Sequence, residues 1–474
     1  MFDTLCDLVP HDPDYPDRVY RLEILNRVMD GTIYDVLTYH FHEERTEGGE
    51  YIPLRQRRPN VRYPLCRIVV EDSVSLLFSE GHFPTFDCQN RELRQVFSNI
   101  VKETRLNQIM TDAAIRGSVG SVALLMRVLN SRLFLNVLDT TFLTPTWDPY
   151  APDTLLQVDE QYKVGGTDLV KRGYQLDDPT RQYWFARRWD AKREIWFQPW
   201  LVGTPNPYDI DAERSITHNL GIVPIVWIRN LPGRAYTGDD GDGACTFAAA
   251  MHTQVEIDYQ LSQVGRGLKY SSDPTLVLKD PALPDGDIVK GAGNALIVSE
   301  KGDARLLEIG GTASTAVIEY VRNLRELALE SVHGNRASPE RLSVAQSGRA
   351  LELMNQGLIW LADNLRISYG EVALLQLAKL IAQASQKFTL TVLGQPIPPI
   401  DPATPLSLKW PRWYPTTADD RQKDAQSLLA LVEAGCMSRD TVMKAIAGSY
   451  DMEFLIEEAD SILSEATNEN LDNE

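Results

Sequence analysis

The sequence predicts an α+β fold, with helical and β-rich stretches segregated along the chain. Three observations carry that expectation. Thr312 to Ser385 reads as two helical segments joined by a polar break, the region from Ser121 to about Asn230 reads as antiparallel β, and a small β-rich insertion, Thr275 to Ile309, lies between two helices. At 474 residues, 43% of them hydrophobic and 24% charged, the chain has globular composition and length for two to four domains with their own cores.

Composition narrows the function before any motif is read. Five cysteines, Cys6, Cys66, Cys88, Cys245 and Cys436, are odd in number and scattered, with no CxxC pair, so a reducing compartment is expected. Met1 to Pro13 carries acids and prolines where a signal peptide needs a basic start and an apolar core. No apolar run approaches the roughly eighteen residues of a membrane span, and a soluble cytosolic product without a membrane partner is the expectation. The net charge of −19 makes the average surface repel phosphate. Tight, salt-sensitive nucleic-acid binding is disfavoured; a surface past which DNA slides without sticking is compatible with that sign.

In chain order, Val19, Leu22, Leu25 and Val28 predict a helix within Tyr15 to Leu37, broken at Asp30-Gly31. Tyr51-Ile52-Pro53-Leu54 leads into the basic run Arg55-Gln56-Arg57-Arg58-Pro59. With Glu43, Glu44 and Glu50 nearby, that run reads as a solvated or ion-paired loop in preference to a phosphate contact. Val61 to Phe78 mixes strand-like and helical spacing. Arg91 to Gly117 reads as one helix, stopped by Gly117-Ser118-Val119-Gly120, and Ser121–Leu129 with Arg132–Val137 reads as a hairpin across Asn130-Ser131.

The β character continues through Tyr183-Trp184-Phe185-Ala186-Arg187-Arg188-Trp189, a turn at Asp190 to Arg193, and Ile195-Trp196-Phe197. These aromatics fit a half-buried antiparallel sheet better than nucleic-acid stacking. A short strand, Ile225 to Ile228, precedes Leu231 to Gly243, a glycine and aspartate linker read as the clearest boundary. Thr246 to Leu268 is helical, with Ile257, Leu261, Val264 and Leu268 on one stripe.

Thr312-Ala313-Ser314-Thr315 are cap-type residues before Val317, Tyr320, Leu324 and Leu327, and this helix is expected to stop near His333-Gly334. After a polar loop, Arg349 to Ala384 carries apolar residues at helical spacing with no proline. A continuous helix there is about 55 Å long, more than a small domain covers by itself. The competing reading is the ordinary spine of a helical domain, bent at Gly357 or Gly370. Beyond Ser385 a β segment and a proline-rich connector reach Pro415, and Ala418 to Glu465 is helical with a Gly435 stop and a Ser438 restart carrying Asp440. The acidic tail, Thr467 to Glu474, is expected to fray.

Little of what a catalyst needs is present. No GxxxxGK[ST], HExxH or GxSxG occurs, which weighs against a motor ATPase or hydrolase. Gly238 to Gly243 faintly resembles a calcium loop, yet Gly238 and Ala249 occupy the first and twelfth ligand positions, and a flexible hinge is the better reading. His40-Phe41-His42 sets two imidazoles on one strand face beside Glu43 and Glu44; without further ligands it reads as a polar edge. No catalytic residue, metal site or cofactor is assigned.

The order of segments is more specific than any motif. The chain resembles the portal proteins of tailed bacteriophages. The likeness is carried by Glu50 to Pro84, with its Arg-Pro run and Leu76-Leu77-Phe78; by the helix ending at Gly117; and by His218-Asn219-Leu220-Gly221-Ile222-Val223-Pro224. It is carried further by Ser271-Ser272-Asp273-Pro274-Thr275-Leu276-Val277-Leu278 and by Ser347-Gly348-Arg349-Ala350-Leu351. It covers most of the chain, through motifs that are each short and degenerate.

The resemblance implies a portal fold: a mixed α/β wing (1–243), a stem helix (244–270), a β-rich clip (271–311), and a second stem helix (312–334). A tunnel loop (335–347), a long wing helix (348–385), a wing β segment (386–417) and a helical crown (418–474) would follow. It implies a homo-dodecameric ring at one capsid vertex that passes double-stranded DNA without reading its sequence. The implied partners are the major capsid protein or scaffold, the terminase large subunit, and then a head-tail adaptor. Arg336, Ser338, Arg341 and Arg349 would face DNA, and Asp280, Asp285, Asp287, Lys290 and Lys301 would meet clip partners.

A ring also accounts for a helix of that length, because neighbouring subunits cover a long apolar stripe and leave no unpaired heterologous surface. Arg336 and Arg341 as weak, exchangeable phosphate contacts stand level with their pairing to Glu340 or to acids of the next subunit. Two alternatives differ in class. One is a capsid or adaptor protein without DNA passage; the other is an enzyme using His218 or His252, although His252, between Met251 and Val255, reads as a packed or paired histidine.

Overall fold

The computed structural model describes residues 2–79, 81–272, 275–281, 298–307, 312–333, 352–414, 418–438 and 441–442. The chain divides into two compact units, Met1–Gly334 with Leu361–Trp410, and Asn335–Trp360 with Pro411–Glu474. In order, the elements are α1 (Phe2–Leu8), α2 (Asp17–Met29), β1 (Tyr39–His40), β2 (Arg57–Arg58), α3 (Leu65–Phe78), β3 (Thr85–Asp87), α4 (Arg91–Thr104) and α5 (Leu106–Gly117). A β-rich stretch follows: β4 (Ser121–Leu129), β5 (Arg132–Asp139), β6 (Leu143–Trp147), β7 (Leu155–Gly165), α6 (Gly166–Lys171), β8 (Gln182–Asp190), β9 (Arg193–Trp196), β10 (Trp200–Leu201), β11 (Ile216–Thr217) and β12 (Ile225–Arg229). Then come α7 (Met251–Ser272), β13 (Thr275–Pro281), β14 (Val298–Leu307), α8 (Thr312–Ser331) and α9 (Gln356–Leu365). A π-helical segment (Arg366–Leu374) runs into α10 (Leu375–Lys387), followed by β15 (Thr391–Val392), β16 (Gln395–Pro396), β17 (Ser407–Lys409) and α11 (Ala418–Glu433).

Two antiparallel sheets organise the larger unit. One has the order β12-β4-β5; the other runs β11-β9-β8-β7-β6, with β10 paired to β8. The hairpin joining β4 to β5 turns as its sequence dictates, because Asn130 and Ser131 both take positive φ, 50° and 65°, as a tight turn between right-twisted strands requires. Strand β4 is buried on both faces. Val122, Leu124 and Met126 enter the main core with α2, α3, α5, α7 and α10, while Ala123 and Leu125 enter a second core with Val158, Trp189 and Trp227. A period of two thus places successive apolar residues in different cores.

The aromatic run in β8 packs as the sequence implies. Trp184 and Ala186 share one cluster while Tyr183 and Phe185 share another. Arg187 lies over Trp189 and Trp196, 4.7 and 4.8 Å from their centroids, and pairs with Glu160. The rings are spent on packing and on cations of their own sheet.

Four expectations change. The helix expected over Arg91 to Gly117 is two, because Arg105 takes a left-handed φ of 51° and starts a new axis. The mixed pattern of Val61 to Phe78 resolves as α3. In the basic loop, Arg57 is 2% exposed and donates from Nε and Nη2 to the Ile52 carbonyl, with Tyr51 under its guanidinium; that member of the run is buried, not solvated.

The stretch Leu231 to Gly243 is no loose hinge. Leu231 bridges to Ala244, Trp227 Nε1 donates to the Gly241 carbonyl at 2.7 Å, and Asp242, 6% exposed, receives both Nε and Nη2 of Arg18 at 2.8 Å. Asp242 also accepts from Ser121 and Thr237, so its oxygens are fully engaged within the fold.

The long helical run is unbroken from Gln356 to Lys387, and its middle is π-helical. Two glycines explain how that segment seats. A Cβ at Gly370 would stand 2.2 Å from Trp410 Cζ2, and one at Gly117 would stand 2.1 Å from the Tyr369 hydroxyl. Neither site admits a side chain without moving a buried or packed ring.

Candidate functional site

Helix α7 begins from a fixed point. Asn230, 1% exposed, donates to the carbonyls of Ser118 and Ala244 and to Thr246 Oγ1, while its own Oδ1 accepts from Tyr369 at 3.1 Å. Ser368 donates to the Asn230 carbonyl at 2.5 Å. The end of β12, the lead into α7 and the π-helical segment are therefore tied through one asparagine.

Along α7, Gln254, Asp258 and Ser262 recur every four residues, which aligns them on one face. Each accepts a backbone N–H from the segment before and into α3: Gln254 Oε1 from Cys66 at 2.9 Å, Asp258 Oδ1 from Tyr63 at 2.5 Å, and Ser262 Oγ from Val61 at 3.0 Å. This polar stripe satisfies donors that burial would otherwise orphan. Its other edge is aromatic: Tyr259 donates to the Arg57 carbonyl at 2.8 Å and meets Tyr34 edge to face at 6.1 Å.

Asp258 is fully buried, and its second oxygen accepts from the Tyr34 hydroxyl at 2.5 Å. Burial pushes its carboxyl up to about 7, against the pull of the Tyr34 and Tyr63 hydrogen bonds and the Arg62 charge. Burial and the neighbouring carboxylate hold the Tyr34 hydroxyl far above its ordinary range. Cys66 and Cys245, both buried, are raised by burial as well, Cys245 to about 12, which makes them inert thiols.

Helix α8 packs alongside α7 and ends at Ser331; His333, with a φ of 54°, takes the left-handed conformation one residue before the glycine expected to provide it. Between the two helices the chain forms the antiparallel hairpin of β13 and β14. Lys279 stands opposite Asp303, and the register slips before Pro281 meets Val298.

Of the residues expected to meet partners there, Asp280 falls in β13 at that slip and Lys301 is an exposed residue of β14. Asp285, Asp287 and Lys290 lie outside the described residues, as do Arg336, Ser338, Arg341 and Arg349 of the expected DNA-facing loop, Asp440, and the acidic tail.

The elements weighed for chemistry are occupied otherwise. His218 Nδ1 accepts from the Leu220 N–H at 3.2 Å inside a turn, and burial lowers its pKa. His252 is exposed on α7 but not without a partner there, which leaves the paired alternative of the packed-or-paired reading. His40 and His42 stack at 5.6 Å on an exposed edge around the buried Phe41. Among the described residues, no group of three or more His, Cys, Asp or Glu is placed to hold a metal ion. One open cavity of about 880 Å³, lined by Arg229, Arg234, Asp239, Asp240, Asn364 and Ile367 among others, has mixed charge. No helix among the described residues is long and apolar enough to cross a membrane.

The polar stripe of α7 escaped sequence reading, although its signal was there. The same helix that shows Ile257, Leu261, Val264 and Leu268 on one side shows Gln254, Asp258 and Ser262 at spacing four beside them.

The chain matches the family described as phage portal protein, SPP1 Gp6-like, over residues 12–471. No curated protein matches the chain. Among solved structures, a chain in the neck of an empty gene transfer agent particle, computed with C6 symmetry, is similar at 12% identity and a TM-score of 0.42, over 81% of this chain and 88% of that one. A chain in the virion of a native gene transfer agent particle is similar at 13% identity and a TM-score of 0.39, again over 81% and 88%.

Proposed function

This chain belongs to the SPP1 Gp6-like family of phage portal proteins, and from that premise we propose how it works: as a closed ring of twelve subunits at one capsid vertex, through which the genome enters and leaves. The carrying observation is the family match itself, which spans 12–471. A portal is a structural protein of the virion, and packaging and ejection follow from the family.

The division of labour is part of the proposal. Residues 1–243, with 348–417, form the wing; 244–270 and 312–334 form the stem; 271–311 form the clip; 335–347 the tunnel loop; and 418–474 the crown. The packing of α7 beside α8, with the paired strands β13 and β14 between them in sequence, supports the stem and clip assignment. Asp280, Asp285, Asp287, Lys290 and Lys301 would meet the terminase large subunit and later the head-tail adaptor, and the wing would meet the major capsid protein or scaffold. Assembly would begin in the host cytoplasm and end in the virion.

The acidic net charge supports DNA passage without adhesion. Against that background Arg336 and Arg341, with Ser338 and Arg349 nearby, would give the duplex weak phosphate contacts that exchange as it moves. Replacing Arg336 and Arg341 together by alanine should leave rings intact and change packaged DNA length or retention, measured on assembled particles. Unchanged DNA handling removes the loop assignment.

A further inference from the structure

His40 and His42 form a pair on a backbone that the core holds in place. His40 ends β1, in register with Arg58 of β2, and its carbonyl accepts from the Glu43 N–H at 3.1 Å, which closes a turn around His42. Phe41 between them is fully buried, its ring 6.3 Å from that of Tyr259 on α7. Both imidazoles are exposed, with centroids 5.6 Å apart and planes 15° from parallel. Among the described residues, neither ring has a hydrogen-bond or ion-pair partner.

We propose that His40 and His42 together chelate one transition-metal dication, Cu(II) most tightly, with Zn(II) and Ni(II) below it. Imidazole nitrogen suits these ions, and the order is that of their general affinity for nitrogen ligands. Metal–nitrogen bonds of about 2.0–2.1 Å set two nitrogens on one ion roughly 3 Å apart. Because both rings are exposed, turning about their own side-chain bonds brings the nitrogens together while Phe41 keeps the backbone where it is. Little beyond side-chain freedom is then lost on binding. Water fills the positions that two protein ligands leave open, so no third histidine, cysteine or carboxylate is needed. Glu44 is committed to Arg266, and a site built on imidazoles discriminates against Mg(II) and Ca(II), which take oxygen ligands. Chelation by one turn needs no second copy of the chain, so the site stands or falls apart from the ring reading.

The test is isothermal titration of the full, metal-stripped chain with Zn(II), Ni(II), Cu(II) and Mg(II) in turn. Zn(II) should bind at a single strongest equivalent per chain, and Cu(II) more tightly at the same place. His40→Ala or His42→Ala should each weaken that equivalent by about tenfold or more, because losing one imidazole forfeits the chelate. His40→Gln and His42→Gln, which keep a polar side chain, should weaken it equally. His252→Ala, at an exposed histidine of α7, should leave it unchanged, and about a hundredfold excess of Mg(II) should not compete. Each variant should keep the melting temperature of the metal-free chain, since the rings removed are already in water. Zn(II) binding that survives the substitutions at 40 and 42, or that Mg(II) displaces, marks an adventitious ion only and overturns the site. An unaltered chain that takes up no Zn(II) overturns it as well.

Discussion

Helices α7 and α8 pack alongside one another and are nearly equal in length, 22 and 20 residues, yet they spend their side chains in opposite ways. On α7 a row of polar groups is buried, and each finds a backbone partner within the same chain. On α8 apolar groups stand in solvent with charged residues around them. A buried polar row requires its partners to be present before the subunit is stable, so α7 belongs to folding. Exposed apolar groups cost the subunit little, so on the proposed ring reading α8 would serve assembly.

The sharpest way to break this contrast is to truncate equivalent aromatics on the two helices. Tyr259→Ala on α7 deletes a ring that is 2% exposed, together with its bond to the Arg57 carbonyl. It should destabilise the subunit by about 3–5 kcal/mol in denaturant unfolding.

Next in size is the pH dependence that Asp258 builds in. Its folded-state pKa of about 7 lies above the ordinary 3.8, so its contribution to stability is fully present below pH 4 and is lost as pH rises through 7. The loss is up to about 4 kcal/mol. Asp258→Asn keeps an acceptor without the charge. It should flatten the melting-temperature profile between pH 5 and pH 8 in buffers of matched ionic strength; an unchanged slope would place the dependence elsewhere.

Gln254→Ala is smaller. It strands the buried Cys66 N–H and should cost about 1–3 kcal/mol by the same unfolding measurement. Smallest for the subunit is Tyr320→Ala on α8, expected within about 0.5 kcal/mol of neutral in unfolding because the ring is already half in water. Its effect should show in ring formation instead. A large loss of subunit stability at Tyr320 would erase the distinction between the helices.

How far the sequence spoke depended on whether a signal was local. The β4–β5 hairpin was legible because Asn130 and Ser131 tolerate positive φ, and the β8 aromatics because period two sorts them onto two faces. The break at Arg105 had no glycine or proline to announce it, since only the packing of α4 and α5 on separate axes demands it. Arg57 and Asp242 were misread for a related reason: charge reveals polarity, and only the fold reveals that an Ile52 carbonyl or an Arg18 guanidinium is waiting. The linker of glycines and aspartates became a tied loop because two of its partners, Arg18 and Ser121, lie 224 and 121 residues from Asp242, and the third, Trp227, sits on β12 just before it. The π-helical segment shares apolar spacing with an ordinary helix, and what marks it, Trp410 against Gly370, lies forty residues away in sequence.

For the functional segments, order along the chain was the readable quantity. It led to the portal family, with which the match over 12–471 agrees. The individual arginines of the expected DNA-facing loop were assigned by that order alone, and they fall outside the described residues.

The most direct test of the account is an electron-microscopy reconstruction of the purified full chain, with its mass determined in solution. The account predicts a closed ring with an open axis. A compact dimer that never closes into a ring would contradict it.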